Sequence, residues 1–233
     1  MFLAAVALIV ATSAATSAPL PLADLVRKTG ENEVASETAF ERKPCLLTID
    51  VKELDKKGAV KDSSEIVMRR GFVDGEPHDE LLRYIESGVD VTEKKKAERK
   101  KRKEDEAKDV ARKNDDDDEI RSPFHPKVVE SYTFEDLGAD AADPDLRRIR
   151  FAPKKGATGE DLLLGEARLT ADGWIRDTTA KPAKLPMLVS SIDVAATFGE
   201  AGEIVRLELK GEAGILFVKK RFRVVTNFDW TPE

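Results

Sequence analysis

Three successive runs near the C-terminus alternate apolar with polar side chains, and this constrains the fold more than any other feature of the chain. Leu188, Ser190, Ile192, Val194, Ala196 and Phe198 recur at every second position, and Gly199 to Gly202 then turns the chain. Val205, Leu207 and Leu209 face one way while Arg206, Glu208 and Lys210 face the other. After Gly214, the positions Leu216, Val218, Phe222, Val224 and Phe228 alternate with Lys219, Arg221, Arg223 and Asn227. A period of two puts alternate side chains on opposite faces of a strand. One covered face and one wet face is the mark of an antiparallel sheet, because a parallel sheet is buried on both.

The same grammar extends upstream. Cys45, Leu47, Ile49 and Val51 alternate with Leu46, Thr48, Asp50 and Lys52, and Asp55 to Gly58 makes a turn. A second strand runs from Val60 through Ile66 and Met68 to Val73. Asp74-Gly75 then predicts a tight hairpin, since both residues tolerate positive φ. Leu81 to Ile85 reads as a third strand or a helix start, closed by Ser87-Gly88. Further strands are predicted over 129–137, with Tyr132 and Phe134, and over 146–151, 162–169 and 174–179, the last two joined by Asp172-Gly173. Residues 22–40 predict one or two short amphipathic helices, with Gly30 as a break and Pro44 as the end.

The N-terminus reads as an export signal. Residues 2–11 are unbroken apolar and a small-residue tract, Thr12 to Ala18, follows. That length suits a secretory core and is short of the ~20 apolar residues of a membrane span. Ala15 and Ala18 are both candidates for the last signal residue. No Lys or Arg precedes the apolar core, so either the signal is atypical or the true start lies upstream of Met1. The mature protein is expected to be periplasmic or secreted. Cys45, the one cysteine of the chain, cannot form an internal disulfide, and a buried thiol is expected.

Charge concentrates in one segment. The chain has 233 residues, a net charge of -6 and 36% charged residues against 41% hydrophobic. Much of the charge lies in 93–119. Glu93 to Lys113 carries no apolar stripe, but Glu98 with Arg102, Glu104 with Lys108 and Asp109 with Lys113 are favourable helical pairs worth ~0.2–0.5 kcal/mol each. Asp90 and Glu93 resemble a capping box. A solvated helix is expected there, then an acidic linker from Asp115 to Glu119. The basic run Lys94 to Lys103 lacks the interleaved aromatics that stack bases, so no nucleic-acid partner is expected. Contact with anionic lipid headgroups is a middle reading of it.

No Gly-x-Ser-x-Gly, His-Glu-x-x-His or phosphate-loop motif occurs, and the acidic run does not have calcium-loop spacing. His78 and His125 stand apart from other ligand residues and read as surface or loop residues. No catalytic residue, metal or cofactor is therefore expected. An enzyme would need a polar cluster in the concavity of the sheet.

The stretches Leu185 to Val194, Gly202 to Glu208 and Gly214 to Phe228, with Lys56-Lys57-Gly58, Phe72 to Gly75, the Lys/Glu-rich helix and Gly173-Trp174-Ile175, resemble uncharacterised periplasmic proteins related to outer-membrane lipoprotein carriers (LolA-like). The likeness spans most of residues 22–230, although the long charged insertion departs from a true carrier. It implies an incomplete antiparallel barrel with helices in its concave face, handling acyl chains or other apolar ligands. The expected fold class is thus α+β, mostly β: a curved antiparallel sheet with an N-terminal helix and a charged helical insertion. Residues 1–18 are the signal and 19–233 a single β domain, with 90–122 inserted. The expected function is non-enzymatic binding of a hydrophobic or lipidated ligand. Ile192, Val194, Phe198, Leu207, Leu216, Val218, Phe222 and Val224 are the candidate lining residues, and their alternative role is plain core packing. A lipid or lipoprotein is the expected partner and the chain is expected to be a monomer. The alternative is an envelope protein-interaction or scaffold domain that uses the charged helix as its contact element.

Overall fold

The computed structural model describes residues 19–106, 121–159, 162–215 and 218–230. The chain begins with a helix, α1 (Leu22–Phe40), and then builds β1 (Cys45–Leu54), β2 (Val60–Val73), β3 (Glu76–Glu86) and the two-residue β4 (Val89–Asp90). A second helix, α2 (Thr92–Glu106), follows. After a 3-10 turn at Val129–Ser131 come β5 (Tyr132–Ala139), β6 (Arg147–Pro153), β7 (Leu163–Leu169) and β8 (Ile175–Pro182). The last three strands are β9 (Val189–Phe198), β10 (Ile204–Ile215) and β11 (Val218–Asp229). The signal-like segment and the acidic run lie outside the described residues.

These strands form one 11-stranded sheet in the order β4-β3-β2-β1-β11-β10-β9-β8-β7-β6-β5, and every neighbouring pair is antiparallel. Most neighbours are also neighbours in sequence. The exception is β1 with β11, where Leu46 to Leu54 run against Asp229 to Arg221 without a break. The edges, β4 and β5, do not meet, so the sheet is not closed. The expected mostly-β class, with its two helices, is the architecture found.

Local chemistry accounts for the turns. Asp74 and Gly75 both sit at positive φ, 54° and 85°, which matches the twist of the flanking strands. In the β1–β2 turn, Asp55 Oδ1 accepts the backbone N–H groups of Lys57 and Ala59, each at 2.8 Å. Leu81 to Ile85 belongs to β3 and not to a helix. Residues 129–131 are a 3-10 turn and not part of β5.

Both helices lie on one face of the sheet. Leu25 and Val26 of α1 are buried against Ile149, Phe151, Ala167, Leu169, Ile175 and Ala180 of β6 to β8, with Phe124 and Tyr132 completing this core. From there α1 runs past the strand ends. Asn32 Nδ2 donates to the Asp172 carbonyl in the β7–β8 turn at 3.0 Å. Ser36 stands against Gly202 in the β9–β10 turn. Phe40 meets Trp230 edge-on at 5.1 Å, and Trp230 stacks on Phe228 of β11. Helix α2 covers the other flank. Its Lys95 ammonium sits 5.2 Å from the Tyr84 ring centre, and Arg99 approaches Met68 Sδ at 3.6 Å. Asp90 accepts the Thr92 N–H at 2.9 Å, which caps its start.

Gly30 does not break α1, which runs 19 residues through it. A Cβ built there would lie 2.6 Å from the Phe124 carbonyl oxygen, so the glycine is needed for close approach of the 122–126 loop. Helix propensity alone would make Gly30→Ala stabilising by about 1 kcal/mol. The clash with backbone should outweigh this, because overpacking costs about 1–3 kcal/mol. Urea denaturation should therefore show Gly30→Ala to be less stable than wild type, and a gain in stability would show that the loop yields.

Candidate functional site

Residues opposite one another in adjacent strands share a face, so the register defines rows of side chains beneath the helices. One row runs Val51, Val224, Leu209, Val194, Ala180, Gly165, Phe151, Phe134 across eight strands without a polar side chain. A second runs Tyr84, Ile66, Ile49, Thr226, Leu207, Ala196, Thr178, Ala167, Ile149. A third, shorter row is Phe222, Gly211, Ile192.

Burial changes along these rows. In the first, Phe151 is 0% exposed and Ala180 9%, whereas Val194, Leu209, Val224 and Val51 are only half-buried. The second falls off likewise, from buried Ile149 and Ala167 to half-buried Leu207, Ile49 and Ile66. The reason is the position of α1. Its apolar residues cover β5 to β8, and then it leaves the sheet face for the strand ends. Helix α2 touches the opposite flank through the Lys95 ammonium on Tyr84 and the Arg99 guanidinium on Met68. The middle of the face, on β1, β9, β10 and β11, is a broad apolar floor between two helical walls.

The sequence-predicted lining residues fall as follows. Ile192, Val194, Leu207, Phe222 and Val224 lie together on this floor, all half-buried. Phe198 is on the same face but packs against the α1 core, so it belongs to the wall. Leu216 lies outside the described residues. Val218 pairs with Ile215 at the last rung of the β10–β11 hairpin, beyond the floor. Gly211 is a residue the pattern did not single out. The Phe222 ring lies over it at a distance a Cβ would violate, so the glycine seats the aromatic ring on the floor.

The opposite face is polar and satisfies itself. Glu208 accepts from Arg223 at 2.8 Å and pairs with Lys210 at 2.9 Å and Arg206 at 3.3 Å. These cations hold its carboxyl down to about 2, Arg223 most of all. Arg148 and Arg150 clamp Glu166 at 2.7 and 3.1 Å. Val225 is buried here beside Lys52, Arg206 and Arg223, whose stems cover it. A cavity of about 330 Å³ also opens on this face, bounded by Lys181, Asp193, Glu208 and Lys210 among others. Leu164, Thr179 and Ala195 complete a lining that mixes apolar and charged groups. Among the described residues no group of three or more His, Cys, Asp or Glu could hold a metal, and no described helix is long and apolar enough to cross a membrane. Cys45 is buried as expected, and burial pushes its thiol up.

His125 lies in a loop, one of the two readings of the sequence, but not at the surface. It is buried, with Nδ1 accepting the Lys127 N–H at 3.1 Å and Nε2 3.4 Å from Glu37 Oε2. The neighbouring Phe124 is among the most buried side chains of the protein. The Ser-Pro-Phe-His-Pro stretch at 122–126 carried this signal, an aromatic residue between two prolines. Glu33 lies at the same junction. Its Oε2 is fully buried without a hydrogen-bond partner. Desolvation raises its carboxyl to about 8, against a smaller opposing effect of a hydrogen bond from Ser122.

No family model matches the chain, and no curated protein matches it. Among solved structures, a chain of the Pseudomonas aeruginosa MucA/MucB complex is similar at 9% identity, over 88% of this chain and 93% of that one. The TM-score is 0.24, so nothing about site, ligand or partner is taken from it.

Glu33 makes stability depend on pH with a defined sign. Its folded value, about 8, is above the ordinary 4.5. Between these the unfolded chain has lost the proton and the folded chain keeps it, so stability falls as pH rises from about 5 to 8. The loss should be on the order of a few kcal/mol. Chemical denaturation at pH 5, 6.5 and 8 should show this decline in wild type and a much flatter profile in Glu33→Gln. Equal slopes in both proteins would place the effect elsewhere.

Proposed function

We propose that this protein is a non-enzymatic, exported binding protein that takes a hydrophobic or lipidated ligand on the helix-side floor of β1, β9, β10 and β11. One observation carries the reading: an all-apolar row and a second row broken only by Thr226 cross these strands in register and stay half-buried between α1 and α2. A sheet must bury its apolar face against something. Here the core does so over β5 to β8 and leaves the floor partly uncovered. Apolar clefts with few polar groups are the usual setting for such ligands. The likeness to lipoprotein carriers read from the sequence, and the apolar segment at residues 2–11, support the same reading.

The small side chains of the floor favour an extended, flexible ligand. Ala196 and Gly211 alternate with Val194, Leu207 and Leu209, which leaves a surface corrugated on the scale of a methylene chain. Polar contacts for a headgroup would come from the rims and not from the floor.

Leu209→Asp should weaken binding of an apolar dye such as 1-N-phenylnaphthylamine by about thirtyfold, the equivalent of about 2 kcal/mol for one well-buried aliphatic side chain. Ala196→Trp, which fills the floor without adding charge, should block the dye while leaving the circular dichroism spectrum unchanged. Native mass spectrometry of protein purified from membrane-containing cells should show a lipid adduct on wild type. Wild-type protein that is folded, free of adduct and dye-negative would overturn the proposal.

A further inference from the structure

The two ends of the sheet differ in charge. Antiparallel order puts the β2–β3, β5–β6, β7–β8 and β9–β10 turns at one end, beside α1. The charged residues of those turns are acidic, Asp74, then Asp140, Asp143 and Asp145, then Asp172, then Glu200 and Glu203, and they outnumber Arg42 and Lys43, which with Glu41 lie in the α1–β1 connection at the same end. The β1–β2, β8–β9 and β10–β11 connections lie at the other end, since Leu54 pairs with Arg221 there. That end carries Asp55, Lys56 and Lys57 in one turn, Lys184 in the β8–β9 connection, and Lys219, Lys220 and Arg221 at the start of β11. Glu53 and Glu212 pair with Lys61, Lys219, Lys220 and Arg221. Lys56 and Lys57 make no ion pair among the described residues, so the end keeps a positive surplus on a protein of net charge -6.

Apolar side chains stand among these cations. Met187 is 89% exposed, Leu188 54% and Val60 55%. The β8–β9 connection that carries the first two is fixed in place. The Gly214 N–H donates to the Leu188 carbonyl at 2.9 Å, and the Val189 N–H to that of Pro186 at 3.1 Å. Leu188 also adopts φ 73°, an uncommon and costly conformation for a branched side chain without a local polar partner. The fold thus spends strain to hold two large apolar groups in water beside lysines.

We propose that this basic, apolar-tipped end docks on an anionic lipid surface, with Met187 and Leu188 entering the interface and the lysines meeting phosphate groups. Charge complementarity selects that occupant. The acidic end would be repelled by the same surface, so the molecule would stand with its strands pointing at the membrane and α1 away from it. Each basic residue near an anionic surface gains about fivefold in binding, and apolar tips add to it. The inference is independent of the ligand-binding reading, since it rests on the loops and not on the floor.

The test is cosedimentation of the full chain with phosphatidylcholine vesicles containing 0 or 30% phosphatidylglycerol. Binding is expected only to the anionic vesicles and should weaken at high salt. Lys56→Glu with Lys57→Glu should reduce it at least about tenfold. Met187→Asp should also reduce it, whereas Val73→Asp, at an exposed apolar position of the opposite end, should not. Met187→Trp should report a blue-shifted emission on vesicles, quenched by brominated acyl chains. Absence of binding to anionic vesicles, or equal losses in Met187→Asp and Val73→Asp, would overturn the proposal. So would full competition by heparin with unmoved Met187→Trp emission, which would assign the surface to a soluble polyanion.

Discussion

The pairing of β1 with β11 is the contact on which the rest of the structure depends. Without it the chain would form two separate meanders, β1 to β4 and β5 to β11. Each would expose a long edge of unpaired backbone groups. With it, the two meanders become one sheet whose remaining edges are β5 and the outer side of β3, of which the two-residue β4 pairs only Ile85 and Glu86. The pairing joins residues near opposite ends of the chain, so its loop-closure cost is met late and its formation is expected to limit folding. It also sets the geometry of the floor, which spans this seam: Val51 and Ile49 come from one meander, Val224 and Thr226 from the other.

Coverage of the sheet follows from how one helix is used. Helix α1 is a single element asked to cover eight or more strands. It buries Leu25 and Val26 over β6 to β8 and then follows the strand ends to Trp230. Small residues make its approach close: Gly30 admits the 122–126 loop, Gly173 admits Lys28 and Thr29, and Gly202 admits Ser36. The resulting core is dense at one flank and thin at the centre. A second apolar helix over β10 and β11 would finish the core. Among the described residues the second helix is instead the charged α2, which contacts the flank through Tyr84 and Met68. Among the described residues the half-buried floor therefore follows from where the two helices lie and not from a gap in the sheet.

Much of this was legible in the sequence. Period-two alternation placed the strands and the shared face of Ile192, Val194, Leu207, Phe222 and Val224, because a strand reports its two faces locally. Asp74-Gly75 announced its turn for the same local reason. The β1–β11 register left no local trace, since long-range pairing depends on which faces match after the meanders form. Gly30 was misread because a glycine that ends a helix and one that admits a neighbour look alike in sequence; only the Phe124 carbonyl distinguishes them. The burial of Phe124 and His125 left little trace beside a long charged run, although an aromatic residue between two prolines is a poor candidate for open solvent. The half-coverage of the floor was out of reach, because it depends on the path of α1 past the strand ends.

The charge segregation of the two sheet ends gains meaning from the polar face between them. Alternation requires that face to carry charges, and an unpaired set would spread a field over the whole molecule. It is instead neutralised in register, with Glu208 held by three cations, Glu212 by Lys219 and Arg221, and Glu166 by two arginines. Paired charges at a few ångströms contribute little field beyond a Debye length of about 8 Å at physiological salt. Beyond these pairs, the charged residues of the four turns beside α1 are all acidic, while Lys56 and Lys57 make no ion pair among the described residues at the other end. The same alternation that leaves an apolar floor beneath the helices thus leaves the strand axis as the direction along which the described sheet is electrically polar.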